Sequence, residues 1–112
     1  MYIGEASKKT GLSIKAIRFY EEKGLIQRLK RAGGYRIYQQ TDLELLVLIR
    51  EAKELGVTLS QLKGVITYNN GTVDWENIKI FLGDVRVQLI GKIDDLNNKI
   101  DRLDKCYQQI GL

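Results

Sequence analysis

The sequence predicts a mainly α protein: a winged helix-turn-helix at residues 1–70, then one long coiled-coil helix for dimerisation over 71–112. Three observations predict it. Two short amphipathic segments are joined by a tight turn at Gly11. A basic stretch around Gly33-Gly34 alternates as paired strands do. The last forty residues repeat apolar side chains at 3-4 spacing without a proline.

Residues 3–10 (IGEASKKT) predict a short helix with Ile3 and Ala6 turned inward, ended by Gly11 in a left-handed conformation. Ser13 is a good N-cap for IKAIRFYEEK, where Ile14 and Ile17 lie a turn apart and Gly24 closes the helix. Its opposite face presents Lys15, Arg18 and either Phe19 or Tyr20. Gly33-Gly34 then marks a two-residue hairpin between strands, with Tyr35 and Ile37 on one face and Arg36 and Tyr38 on the other. Arg28, Lys30, Arg31 and Arg36 make this ribbon a basic wing.

Thr41 to Glu44 reads as a capping box for a third helix, whose buried stripe is Leu45, Leu48, Ile49, Ala52 and Leu55. Thr58 and Gln61 repeat the pattern for a short fourth helix, and Asn69-Asn70-Gly71 breaks the chain. From about Val73 to Gln109 one helix is expected. Leu89 precedes a seam of Ile93, Leu96, Ile100, Leu103, Tyr107 and Ile110, flanked by charged residues. A lone helix cannot bury such a seam, so a second copy of the chain is the simplest partner, with folding back onto its own domain as the alternative.

Composition narrows the function. Net charge is +4, and all of the surplus falls in residues 1–56; residues 15–36 alone carry +5. A local basic surplus suits a polyanion, although it also describes a solvated face. There is no histidine and only one cysteine, Cys106, so neither a zinc site within one subunit nor a disulfide framework is expected. No nucleophile–base pair or phosphate loop is present, which argues against an enzyme, and no cofactor is expected. No apolar run approaches the ~18 residues of a membrane span, and the N-terminus lacks a signal peptide, so a cytoplasmic protein without a membrane partner is expected.

The stretches IGEASKKTGLSIKAIRFYEEKGLI, GGYRIY and TDLELLVLIREAKELGVTLSQLKGVI, in that order, resemble the MerR family of transcription regulators over roughly residues 1–68. The resemblance implies an antiparallel dimerisation helix after them. It also implies a homodimer on pseudo-palindromic, double-stranded promoter DNA, distorting an over-long spacer so that RNA polymerase can use it. Lys15 and Arg18 match positions that face the major groove, and Tyr20 matches a backbone-contacting aromatic. Tyr35, Arg36 and Tyr38 match phosphate-contacting wing positions, with Arg31 and Lys53 as further phosphate contacts. Packing between helix and wing is the other reading for Tyr20 and Tyr38; an ion pair with Glu51 or Glu54 is the other for Lys53. Gln27 and Arg28 depart from the proline many members carry there.

Metal-sensing members carry cysteines at the start of the dimerisation helix and in a loop after it. The start here, GTVDWENIK, has none. A single-cysteine branch that responds to electrophiles places its thiol near Ala52, where this chain has none. Cys106 stands beside the seam as a sensor of thiol-reactive or oxidant signals, or as a small packing residue. Tyr68 and Trp75 are read as core groups or as part of an effector pocket. Two competing functions are an architectural DNA-bending protein, similar to phage excisionases, and a coiled-coil adaptor without a DNA role.

Overall fold

The computed structural model describes residues 1–27 and 30–111, with Lys30 by its backbone alone; Arg28 of the basic ribbon lies outside the described residues. The chain divides into two units, Met1–Val73 and Asp74–Leu112. The first contains α1 (Ile3–Thr10), α2 (Ile14–Glu22), β1 (Lys30–Ala32), β2 (Tyr35–Ile37), α3 (Gln40–Glu54), α4 (Leu59–Val65), β3 (Tyr68–Asn69) and β4 (Thr72–Val73). The second is a single helix, α5 (Trp75–Gln109).

The core of the first unit is built around α3. Leu43, Leu45, Leu46, Ile49 and Ala52 are all buried there, together with Ala6, Ile17, Tyr20, Leu25, Ile26, Tyr38, Val57, Leu62 and Ile66. The predicted stripe on this helix needs correction. Leu55 is exposed at its C-cap, while Leu43 and Leu46 are buried although they were not in the stripe. A helix covered on two sides buries adjacent positions such as Leu45 and Leu46, which a single-face pattern cannot anticipate. The helix also starts earlier than its expected capping box, with Asp42 Oδ2 accepting from Gln39 N at 2.8 Å. At α4 the expected box is present: Thr58 Oγ1 accepts from Gln61 N at 3.1 Å and Gln61 Oε1 from Thr58 N at 2.9 Å.

β1 and β2 pair antiparallel with Arg31 opposite Arg36 and Ala32 opposite Tyr35. Gly33 and Gly34 both take positive φ, as a primed hairpin turn requires. β3 and β4 form a second small hairpin around Asn70-Gly71, also both at positive φ, where the sequence alone predicts only a break.

In the second unit, Asp74 caps α5, its Oδ1 accepting from Asn77 N at 3.1 Å. The helix then runs 35 residues. Its seam residues Leu89, Ile93, Leu96, Ile100, Leu103, Tyr107 and Ile110 are all exposed, Leu96 by 58%. Among the described residues, no helix is long and apolar enough to cross a membrane.

Candidate nucleic-acid interface

The site begins at the turn between α1 and α2. Gly11 takes φ +73 and its N–H donates to Ser7 O at 3.0 Å, ending α1. Around it, Thr10 Oγ1 donates to Ala6 O at 2.8 Å and Ser7 Oγ to Leu12 O at 2.6 Å. Arg50 reaches across from α3, its Nη1 donating to Thr10 O. Ser13 then caps α2, accepting from Ala16 N at 3.0 Å. The direction of α2 is thus fixed by bonds at its first turn as well as by its buried face.

That buried face holds Ile17 and Tyr20. Ile14 is 38% exposed, contrary to expectation: as the first helical residue it lies a turn beyond the covered patch. Lys15, Arg18 and Phe19 share its exposure, and Lys23 Nζ sits 5.5 Å from the Phe19 ring centroid. The outward aromatic of the predicted pair is therefore Phe19.

The wing is tied to the start of the chain. Met1 N donates to Tyr38 O at 2.9 Å and Tyr38 N to Met1 O at 2.7 Å. The Tyr2 and Tyr35 rings meet edge to face, 6.0 Å between centroids. Arg18 from α2 and Gly34, Tyr35 and Arg36 from the wing line one small concavity with Tyr2 and Ile3, about 90 Å³ in volume. Tyr35 is exposed at its edge, and Arg31 Nη1 donates to Gly34 O at 3.4 Å across the wing turn.

Tyr20 and Tyr38 are both buried, Tyr38 to 1% exposure, which accords with the packing reading of their rings. Burial raises the Tyr20 hydroxyl pKa. Burial first, and then the neighbouring Glu21 carboxylate, raise that of Tyr38. Glu21, near the end of α2, accepts an ion-paired hydrogen bond from Arg36 Nε through Oε1, and Oε2 accepts from the Tyr38 hydroxyl at 3.4 Å. Sequence reasoning missed Glu21 and Arg50. Both act across the fold, on partners 15 and 40 residues away, and no local pattern marks such a pair.

Lys53 is exposed in the last turn of α3, and the ion pair in that region is between Arg50 and Glu51 instead, at 2.8 Å. Tyr68 is half-buried; its hydroxyl donates to Leu25 O at 2.9 Å and accepts from Gln27 N at 3.3 Å, so it braces the segment after α2. Trp75 and Cys106 are exposed on α5. Among the described residues, no three His, Cys, Asp or Glu side chains group as a metal site would.

A family model for the MerR HTH family regulatory protein matches residues 1–69. The HTH-type transcriptional regulator CueR of Salmonella typhi is 34% identical over 98% of this chain and 76% of its own length. Heavy metal-dependent transcription regulator 2 of Rhizobium meliloti is 36% identical over 98% of this chain and 71% of its own. A crystal structure from Listeria monocytogenes, described as a MerR-family transcriptional regulator, superposes with a TM-score of 0.65 at 28% identity, over 93% of this chain and 80% of that one. With the helix-turn-helix, the wing and these relatives in agreement, the chain belongs to the MerR family of DNA-binding transcription regulators, and it is a regulator rather than an enzyme.

Proposed function

We propose that the chain works in the cytoplasm as a homodimer that binds a pseudo-palindromic promoter and distorts its spacer to control RNA polymerase. The observation that carries this reading is the shared concavity, which brings Arg18 of α2 and Arg36 of the wing onto one surface. Lys15 and Arg18 reach into the major groove, where an arginine can read a guanine edge with two hydrogen bonds. Tyr35, Arg36, Arg31 and Lys53 hold phosphates and set the register. Tyr20 and Tyr38 support the contacts from behind. The exposed seam of α5 supports pairing, since a bare apolar stripe of this length needs a second helix. Bending the spacer costs roughly 1–6 kcal/mol, which two helix-and-wing grips together can supply.

The signal is read as a thiol-directed one at Cys106, the single cysteine and an exposed one. Heavy-metal dependence, stated for the Rhizobium relative, is the rival. Footprinting on the DNA upstream of the gene, with a probe for untwisted base pairs, tests the whole reading. Oxidants, aldehydes and metal ions are added in turn. The expected result is a protected inverted repeat inside a long spacer, distorted only with an oxidant or aldehyde and no longer so in Cys106→Ser. Distortion by a metal alone would replace the signal. Protection without a promoter nearby would favour an architectural role.

A further inference from the structure

We infer that Glu21 is a positioning residue for DNA binding: its carboxylate clamps the wing to α2 and aims the Arg36 guanidinium at the phosphate backbone. This rests on the reading of the wing as a phosphate contact. The first argument is one of sign. Residues 15–36 carry +5, yet two carboxylates stand in their midst, and that of Glu21, 18% exposed at its side chain, is turned to the wing, where it repels DNA. Such a charge weakens binding unless it does something that outweighs the repulsion.

Geometry supplies that role. Arg36 and Tyr38 lie two residues apart, hence on one face of the ribbon, and both bond to Glu21 through separate oxygens. One carboxylate from α2 thereby holds two neighbouring side chains on one face of the ribbon. The Arg36 bond uses Nε, so Nη1 and Nη2 are separate donors that a phosphate can take side by side. The side chain is half-exposed and already ordered before DNA arrives, which removes part of the entropic penalty of the contact. Tyr38 anchors the arrangement from the core, its backbone bonded in both directions to Met1.

The test is Glu21→Gln, nearly isosteric, measured by fluorescence anisotropy on a labelled duplex selected by the wild-type protein from a random pool. Removing an anion from a DNA-facing surface should by itself tighten binding. Loss of a positioned arginine should weaken it, by roughly tenfold, and lower the slope of log K against log salt by about one per lost phosphate contact. In an Arg36→Ala background Glu21→Gln should weaken binding no further. Glu21→Asp, which keeps the charge but shortens the reach, should also weaken it. Tighter or unchanged binding in Glu21→Gln would overturn the inference. So would weaker binding with an unchanged salt slope, which reports a smaller folded fraction. If Arg36→Ala itself has no effect, the wing reading fails and Glu21 falls with it; if Arg36→Ala weakens binding and Glu21→Gln does not, only the clamp is wrong.

Discussion

Replacing Gly11 with alanine should destabilise the first unit more than the same change at Gly24, although both glycines have left-handed backbones. Gly11 has φ +73 and Gly24 φ +80, so each substitution carries a conformational penalty of about 1–2 kcal/mol. At Gly24 a Cβ meets no atom within 4 Å. At Gly11 it would stand 2.9 Å from Arg50 Nη1, the group that donates to Thr10 O. The guanidinium, the far end of a flexible side chain, must shift, and the added cost is at most that of the charge-assisted hydrogen bond it donates, about 1.5–3 kcal/mol. Arg50 is about a third exposed, so we take the lower half of that range. The sum is up to about 4 kcal/mol for Gly11→Ala against about 1–2 for Gly24→Ala. At roughly 4–8 °C per kcal/mol for a unit of this size, the extra drop in Tm is up to about 18 °C by circular dichroism. In an Arg50→Ala background the two substitutions should become equivalent. Equal drops in the presence of Arg50 would refute the claim that it locks the turn.

Three further outcomes are expected. Leu96→Asp with Ile100→Asp should give monomers by sedimentation velocity and weaken DNA binding; a variant that still sediments as a dimer would move the interface off this seam. Tyr68→Phe removes a hydroxyl that bonds to both Leu25 O and Gln27 N and should destabilise the first unit by roughly 1–3 kcal/mol in urea titrations. The hydroxyl pKa values of Tyr68 and Tyr38 are raised in the fold, chiefly by burial. Their stability contribution is therefore complete below the ordinary tyrosine pKa of about 10 and is lost as pH rises through the folded values. Urea midpoints should fall from about pH 10 upward, in step with late phenolate absorbance, and Tyr68→Phe should reduce that fall.

What was legible in the sequence was what short-range chemistry decides. Gly33-Gly34 fixes the wing turn because two positive φ angles in a row admit little else. Thr58 and Gln61 cap α4 through bonds three residues apart. The long helix α5 and its apolar stripe follow from period alone. The site was half legible for the same reason. Alternation put Arg36 and Tyr38 on one face of the ribbon, but not which of them stays accessible. That depends on cover from Glu21 and Met1, which are 15 and 37 residues away. Ile14 and Leu55 failed similarly: periodicity gives a side chain's direction, and burial also requires something to lie there. The expected start of α3 missed because Thr41 to Glu44 and Gln39 to Asp42 offer the same three-residue spacing, and the packing of Leu43 and Leu46 decides between them.

For the proposed dimer, the small size of each grip bears on how strongly binding would depend on pairing. Among the described residues, one first unit presents Lys15, Arg18, Arg31, Arg36 and Lys53 as candidate cations at the proposed surface, with Glu21 opposing them. Each neutralised phosphate releases about 0.9 of a counterion, so a single unit reaches a modest affinity that salt erodes quickly. A dimer joined through α5 makes the second grip intramolecular, and the gain is set by how well the two half-sites match the spacing of the units. In the proposed dimer, a promoter spacer of the wrong length would not be gripped by both units without being deformed, and the deformation energy would be drawn from the second grip. Shortening or lengthening the spacer between selected half-sites should therefore change the affinity of the dimer steeply, and leave the Leu96→Asp, Ile100→Asp monomer indifferent.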